Sequence, residues 1–162
     1  MDHLLLLRVM VLLGIANGAP IVATRLLGAR LAAPLDGGLR LGDGAPLFGD
    51  SKTIRGVVAS LGCTALAAPL LGFDWVTGAG FAAASLAGDL LSSFLKRRWK
   101  LEPHAEAFGV DQIPEALLPL VVFKSQLGLT LLEIVVLLAA FVTLASLLSQ
   151  LLFRLNIRDR PY

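Results

Sequence analysis

Charge is scarce in this chain. Asp, Glu, Lys and Arg make up only 16% of its 162 residues, against 56% hydrophobic ones and a mean hydropathy of +0.78. A soluble domain of this length needs far more charge to cover its surface, so the soluble globular class is excluded. Cysteine occurs once, at Cys63 inside an apolar run, which rules out an intrachain disulfide and marks the thiol as a packing group. The two histidines, His3 and His104, have no ligand-type spacing, and no convincing Ser/His or Cys/His pair offers a side-chain nucleophile. Heptads, internal repeats and low-complexity tracts are missing as well.

What the chain has instead is long apolar runs. Windows of roughly 17 to 25 residues with little or no charge are long enough to cross about 30 Å of hydrocarbon as helices. They predict spans at residues 4–27, 57–71, 75–95, 111–125 and 127–153. The expected fold class is all-α: a polytopic integral membrane protein of about five transmembrane helices with two cytoplasmic polar loops, forming one membrane-embedded domain over residues 1–162. The first run is long and has no clear small-residue cleavage site, so it is expected to be a retained span. Gly18 and Pro20 predict a kink or break within it. Asn17 is a polar group at depth, serving either an interhelical hydrogen bond or a site. Asp111 and Pro114 suit the start of a helix, and capping is the plain reading of Asp111.

Cations are distributed unevenly. Arg30, Arg40, Lys52 and Arg55 lie in the first loop, Lys96, Arg97, Arg98 and Lys100 follow the third span, and Arg154, Arg158 and Arg160 close the chain. The opposite side holds Arg8 and Lys124. The positive-inside rule places both loops and the C-terminus in the cytoplasm and the N-terminus outside, with the protein in the cell membrane.

The chemistry concentrates in residues 42–56, a polar segment between apolar ones. Its four glycines, including Gly49, let backbone approach a ligand; Lys52 and Arg55 supply positive charge, Ser51 and Thr53 hydroxyls, and Asp43 and Asp50 carboxylates. That is a kit for a nucleoside triphosphate and its metal, although an exposed turn has much the same composition. It is not a Walker A loop: Gly44 and Gly49 have the right separation, but Asp50 and Ser51 intervene before Lys52-Thr53 and no strand is predicted ahead of them. The second loop adds Lys96, Arg97 and Arg98, with Asp89 two turns inside the basic end of its span and Asp111 beyond. An intramembrane carboxylate is costly unless paired or functional. Carboxylates among cations at a membrane surface fit a divalent metal and a polyphosphate reacting with a lipid phosphate.

These residues carry a resemblance. Ala16-Asn17-Gly18-Ala19-Pro20, Pro34-Leu35-Asp36-Gly37-Gly38, Asp43-Gly44, Phe48 through Gly56, Gly88-Asp89, Ser93-Phe94-Leu95-Lys96-Arg97-Arg98 and Asp111-Gln112 together resemble the CDP-archaeol synthase family, small relatives of the CDP-diacylglycerol synthases. The resemblance implies a five-span enzyme that uses CTP and Mg²⁺ to turn a lipid phosphate into a CDP-lipid, releasing pyrophosphate. By position it implies Asp89 and Asp111 as metal-binding acids. Gly49, Asp50, Lys52, Thr53 and Arg55 then belong to the nucleotide-phosphate site, and Ser93, Lys96 and Arg97 match the serine–lysine–arginine motif of the larger relatives. Lys52 and Lys96 join the two acids as catalytic candidates. The chain departs from the family pattern where a second acid is expected three residues after Asp111: it has Pro114, followed by Glu115.

The partners expected are therefore CTP, a membrane lipid phosphate and the bilayer, and not nucleic acid; oligomeric state is not legible. A second class of reading is a non-catalytic transport or lipid-binding protein that keeps the fold, with Asn17, Pro20 and Asp89 lining a solute path. A CDP-alcohol phosphotransferase ranks below both, because its run of spaced aspartates is missing.

Overall fold

In the computed structural model, which describes residues 2–99 and 112–154, the chain is helical apart from its loops. Helix α1 runs His3–Leu27, α2 Ile54–Ala67 with a 3-10 turn continuing it over Ala68–Leu71, and α3 Trp75–Arg98. Then come α4 at Gln112–Val122, the short α5 at Lys124–Leu127 and α6 at Leu131–Arg154. The all-α expectation holds. Among the described residues, four stretches are long and apolar enough to cross a membrane: His3–Leu27, Ile54–Leu71, Trp75–Arg98 and Leu131–Gln150. The stretch predicted as a fourth span gives only the 11-residue α4, about 16 Å long against about 30 Å of hydrocarbon.

The chain nevertheless returns along the bundle through α4 and α5. At one end, a Cβ added to Gly88 would fall 2.1 Å from the Pro114 carbonyl oxygen and 2.8 Å from the Glu115 Cα, so only glycine lets α3 and α4 meet there. At the other, Phe123 tilts against Phe81 with ring centroids 5.8 Å apart, and Gln126 Nε2 donates to Thr77 Oγ1 at 2.6 Å. The core between the helices is built from Val9, Leu12 and Leu13 of α1, Phe81 of α3, Leu120 of α4 and Leu137 of α6, all buried. The outer surface is apolar, with Leu66 and Leu70 79% and 87% exposed, as hydrocarbon surroundings permit.

Pro20 does not break α1, which is helical throughout. The reason is a replacement donor. A proline at position 20 has no N–H for the carbonyl of residue 16, four residues back. The buried Ser60 hydroxyl of α2 donates to that Ala16 oxygen at 2.7 Å. Beside it, Asn17 is used for packing: its Nδ2 donates to Leu13 O at 3.0 Å and its Oδ1 accepts from Ser85 Oγ of α3 at 3.1 Å. One polar step thus joins three helices in a region with no water to spare.

Residues 28–53, between α1 and α2, form a loop folded on itself. Antiparallel bridges pair Pro34 with Thr53 and Arg40 with Pro46. Asp36 ties its two arms together: Oδ1 accepts from the Gly38 N–H at 3.0 Å, and Oδ2 from those of Phe48 at 2.9 Å and Gly49 at 3.3 Å. Gly49 has φ +95°, a conformation that L side chains avoid, and so turns its N–H back toward that carboxylate. The Phe48 N–H, then those of Gly38 and Gly49, hold the Asp36 carboxyl below its ordinary range.

Two outcomes are expected. Ser60→Ala leaves the Ala16 carbonyl buried without a donor and should cost about 1–3 kcal/mol, read as a lowered unfolding midpoint in detergent; an unchanged midpoint would mean that α1 does not depend on this bond. For Asp36 the folded pKa is depressed, so its contribution to loop stability is complete above the ordinary 3.8 and is lost as pH falls through the lower folded value. Pepsin cleavage within residues 36–52 should therefore rise below pH 3.8 in the native chain, whereas Asp36→Ala should be cleaved without that pH step.

Candidate active site

The loop delivers one side chain to the membrane domain. Lys52 follows the Gly49 turn, its own N–H bonded to Gly49 O at 3.1 Å and its carbonyl accepting from the Leu35 N–H at 2.7 Å. This fixed backbone directs Nζ to Asp89 of α3, where both carboxylate oxygens lie 2.6 Å away. The two side chains are each 23% exposed, half-sheltered yet reachable from the loop side. Asp89 is adjacent to Gly88, so the close approach of α4 at Pro114 also sets the wall beside the carboxylate.

Below the pair, α3 carries Ser93, Lys96 and Arg97, four, seven and eight residues beyond Asp89. That spacing stacks them along one helical face. Ser93 is 5% exposed and the two cations 8% each, unusual for such long charged side chains. Their position in the last turn also sets them against the negative end of the helix dipole. Ser92 instead turns its hydroxyl back to Asp89 O at 2.8 Å, stiffening the turn that holds the acid.

Other residues expected at the site hold architecture. The Arg55 guanidinium donates to the carbonyls of Gly28 and Arg30, where α1 ends, and so pins that end to the start of α2. Thr53 is the N-cap of α2, its Oγ1 accepting from the Gly56 N–H at 3.3 Å. Gly49 shapes the turn, and Asp50 is exposed. Asp43 does not pair with Asp89; it accepts from Arg98 Nη1 at 2.6 Å, and the Ala45 N–H, then this ion pair, keeps its carboxyl below the usual range. Arg98 also donates to Pro46 O at 2.8 Å and stacks on Phe94, clamping the loop tip to α3. Asp111 lies outside the described residues, as does His104.

Asp36 was quoted in the sequence without a role, yet it orders the strand of chain that presents Lys52. Its local signal was present: an Asp two residues before a glycine favours a side-chain turn onto the backbone. The contact to Phe48, 12 residues away, had no such signal.

As for a metal, no group of three or more His, Cys, Asp and Glu converges among the described residues. Among the described residues, Asp89 is the acid that faces Lys52, a hard oxygen donor next to a displaceable ammonium. This fits a cation that keeps several waters and shares itself with substrate phosphates better than one needing an all-protein cage. The arrangement is thus a carboxylate and an ammonium neutralising one another, above buried cations, at the end of a membrane bundle. It suits a ligand that brings both polyanion and cation.

The chain is 32% identical over 155 residues to the CDP-archaeol synthase of Pyrobaculum calidifontis, covering 91% of each sequence. It is 31% identical to that of Sulfolobus acidocaldarius over 91% of each. A solved structure described as an intramembrane enzyme for archaeal membrane lipids biosynthesis superposes with a TM-score of 0.75 at 34% identity, over 89% of this chain and 91% of that one. With the CarS-like model for CDP-archaeol synthase matching residues 2–162, loop, ion pair and helices together, the chain belongs to the CDP-archaeol synthase family.

Proposed function

We propose that this protein is a CTP-dependent cytidylyltransferase of the membrane, joining CMP to a lipid phosphate and releasing pyrophosphate. The observation that carries the reading is the Lys52–Asp89 pair, formed across 37 residues of sequence by the polar loop over residues 28–53 and an acid of an apolar helix. Family membership and the intramembrane enzyme neighbour support the same chemistry. The substrate is an archaetidic acid-like or phosphatidic acid-like lipid, whose phosphate sits at the depth of the membrane surface.

In the reaction, a lipid phosphate oxygen attacks the α-phosphorus of CTP, the bond from that phosphorus to the bridging oxygen breaks, and pyrophosphate departs. No side-chain nucleophile is required. Before substrate arrives, Lys52 and Asp89 neutralise each other. The triphosphate takes the ammonium as its counter-ion, and the carboxylate is freed for a cation. Lys96 and Arg97, buried on the same helix, lend a positive potential that grows in value as water is excluded. Ser93 lies on the face that orients the phosphates, Gly49 and Thr53 keep the loop shape beneath them with Asp50 exposed in the same turn, and Arg55 acts by holding the loop base. Asp89 would hold Mg²⁺, with Asp111 as the second acid. When bound, the metal supplies neutralisation of the triphosphate and of the leaving pyrophosphate.

We further propose five passes through the bilayer, with α4 and α5 making the fourth. The path of α4–α5 from the level of Gly88 to that of Thr77 supports this count, since it carries the chain from the loop end to the far end before α6 returns. The loop end then faces the cytoplasm, where CTP is found and where the positive-inside rule puts the basic segments, and the N-terminus lies outside.

The test is a transfer assay on the purified chain with CTP labelled at the α-phosphate, Mg²⁺ and a panel of ether- and ester-linked lipid phosphates. Label in one lipid class supports the reading and names the substrate. CTP binding without transfer to any lipid would leave a lipid-binding or transport protein. Asp89→Asn should lower turnover by about a hundredfold or more without loss of expression; retained turnover would remove Asp89 from the site. Lys52→Ala should act chiefly on CTP affinity, raising its KM about tenfold.

A further inference from the structure

The far end of the bundle holds a second polar place. An open cavity of about 420 Å³ lies between the first turns of α1, the turn joining α2 to α3, and α5; Arg8, Gly72, Asp74, Thr77, Gln126 and Leu127 line it. Thr77 stands at the start of α3 and Asp89 12 residues further along it, about 18 Å away by helical rise, with Lys52 beside Asp89, so this cavity is separate from the candidate active site. Most of its polar atoms are spent on one another. The Asp74 carboxylate caps α3, accepting from the Thr77 N–H at 2.8 Å and from Thr77 Oγ1, and that hydroxyl in turn accepts from Gln126 Nε2.

Arg8 is different. It makes no hydrogen bond or ion pair among the described residues, although it is half-buried and set within an apolar run. Its guanidinium lies over Gly72, where a Cβ would be 3.3 Å from Nη1, so the missing side chain at position 72 is what gives Arg8 room in the cavity. An arginine cannot shed its charge, and its five N–H donors form a planar fork that fits phosphate oxygens. Inside an apolar span such a group is costly without an anion. Trp75, 66% exposed at the same end, marks the level of the headgroups. Gln126 also lines the cavity, and beyond its bond to Thr77 its amide has a second N–H and an oxygen to offer a hydroxyl or ester oxygen next to a phosphate.

We propose that this cavity binds the phosphodiester of an anionic lipid headgroup from the leaflet opposite the active site, with Arg8 donating to its oxygens and Gln126 to the neighbouring polar group. The ligand chemistry is phosphate; the source, a lipid and not a free ion, follows from the depth of Arg8 and the apolar edge given by Leu127. The site makes the protein sensitive to the composition of the leaflet that does not hold its substrate.

The test uses the full chain in a neutral detergent free of phosphate. Its unfolding midpoint is followed while phosphatidylglycerol, phosphatidylcholine or inorganic phosphate is titrated in, for the native chain, Arg8→Gln, Gln126→Leu and Lys52→Ala. Phosphatidylglycerol should raise the midpoint, and Arg8→Gln should require about tenfold more lipid for half of that shift. Lys52→Ala should respond like the native chain, which separates this site from the catalytic one. If Arg8→Gln is too unstable to study, Gln126→Leu takes its place, with a smaller loss in the same direction. The proposal is overturned if Arg8→Gln and Gln126→Leu respond as the native chain does, if the response disappears in Lys52→Ala, or if inorganic phosphate or phosphatidylcholine gives an equal shift.

Discussion

The ion pair between Lys52 and Asp89 is the contact on which the rest of the site depends, because it is where a loop in water meets an acid in the membrane. Each charge alone would be a liability at that depth. Held 2.6 Å apart they cancel, and the loop is drawn onto the end of α3. Arg98 on Asp43 repeats the device at the loop tip, and Arg55 on the carbonyls of Gly28 and Arg30 secures the base. Among the described residues the loop is thus fastened by cations at its tip, at its base and at Lys52, and the fastening at Lys52 is the one made to the acid that the proposed reaction uses.

This division of labour explains what was legible in the sequence. The helices were, because an apolar run leaves few alternatives to helix inside a bilayer. Residues 42–56 also stood out, and Lys52 with Asp89 does meet. The other cations were harder to sort. Arg55 and Arg98 look as suited to phosphate as Lys52 does, and only their distances to backbone carbonyls reveal that they bind the loop to the helices. Such pairings join residues 25 to 55 positions apart, beyond the reach of local pattern.

Pro20 and the stretch after Asp111 teach the same lesson from the backbone. A proline in an apolar run predicts a break, yet whether the helix yields depends on a donor supplied from elsewhere, here Ser60. The apolar run at 111–125 reads as one span, but its helix stops after 11 residues, and the chain turns again through α5 before Gly128 in a left-handed conformation ends the turn. Length in sequence and length as helix part company wherever such a corner is inserted.

The Ala16 carbonyl also bears on how the protein reaches its membrane. Until α2 arrives, α1 carries an acceptor in hydrocarbon with nothing to satisfy it, so the first helix alone is an incomplete guest of the bilayer. The bond that completes α1 also draws together the two helices that bracket the folded loop, so finishing the first helix and closing the loop are one contact.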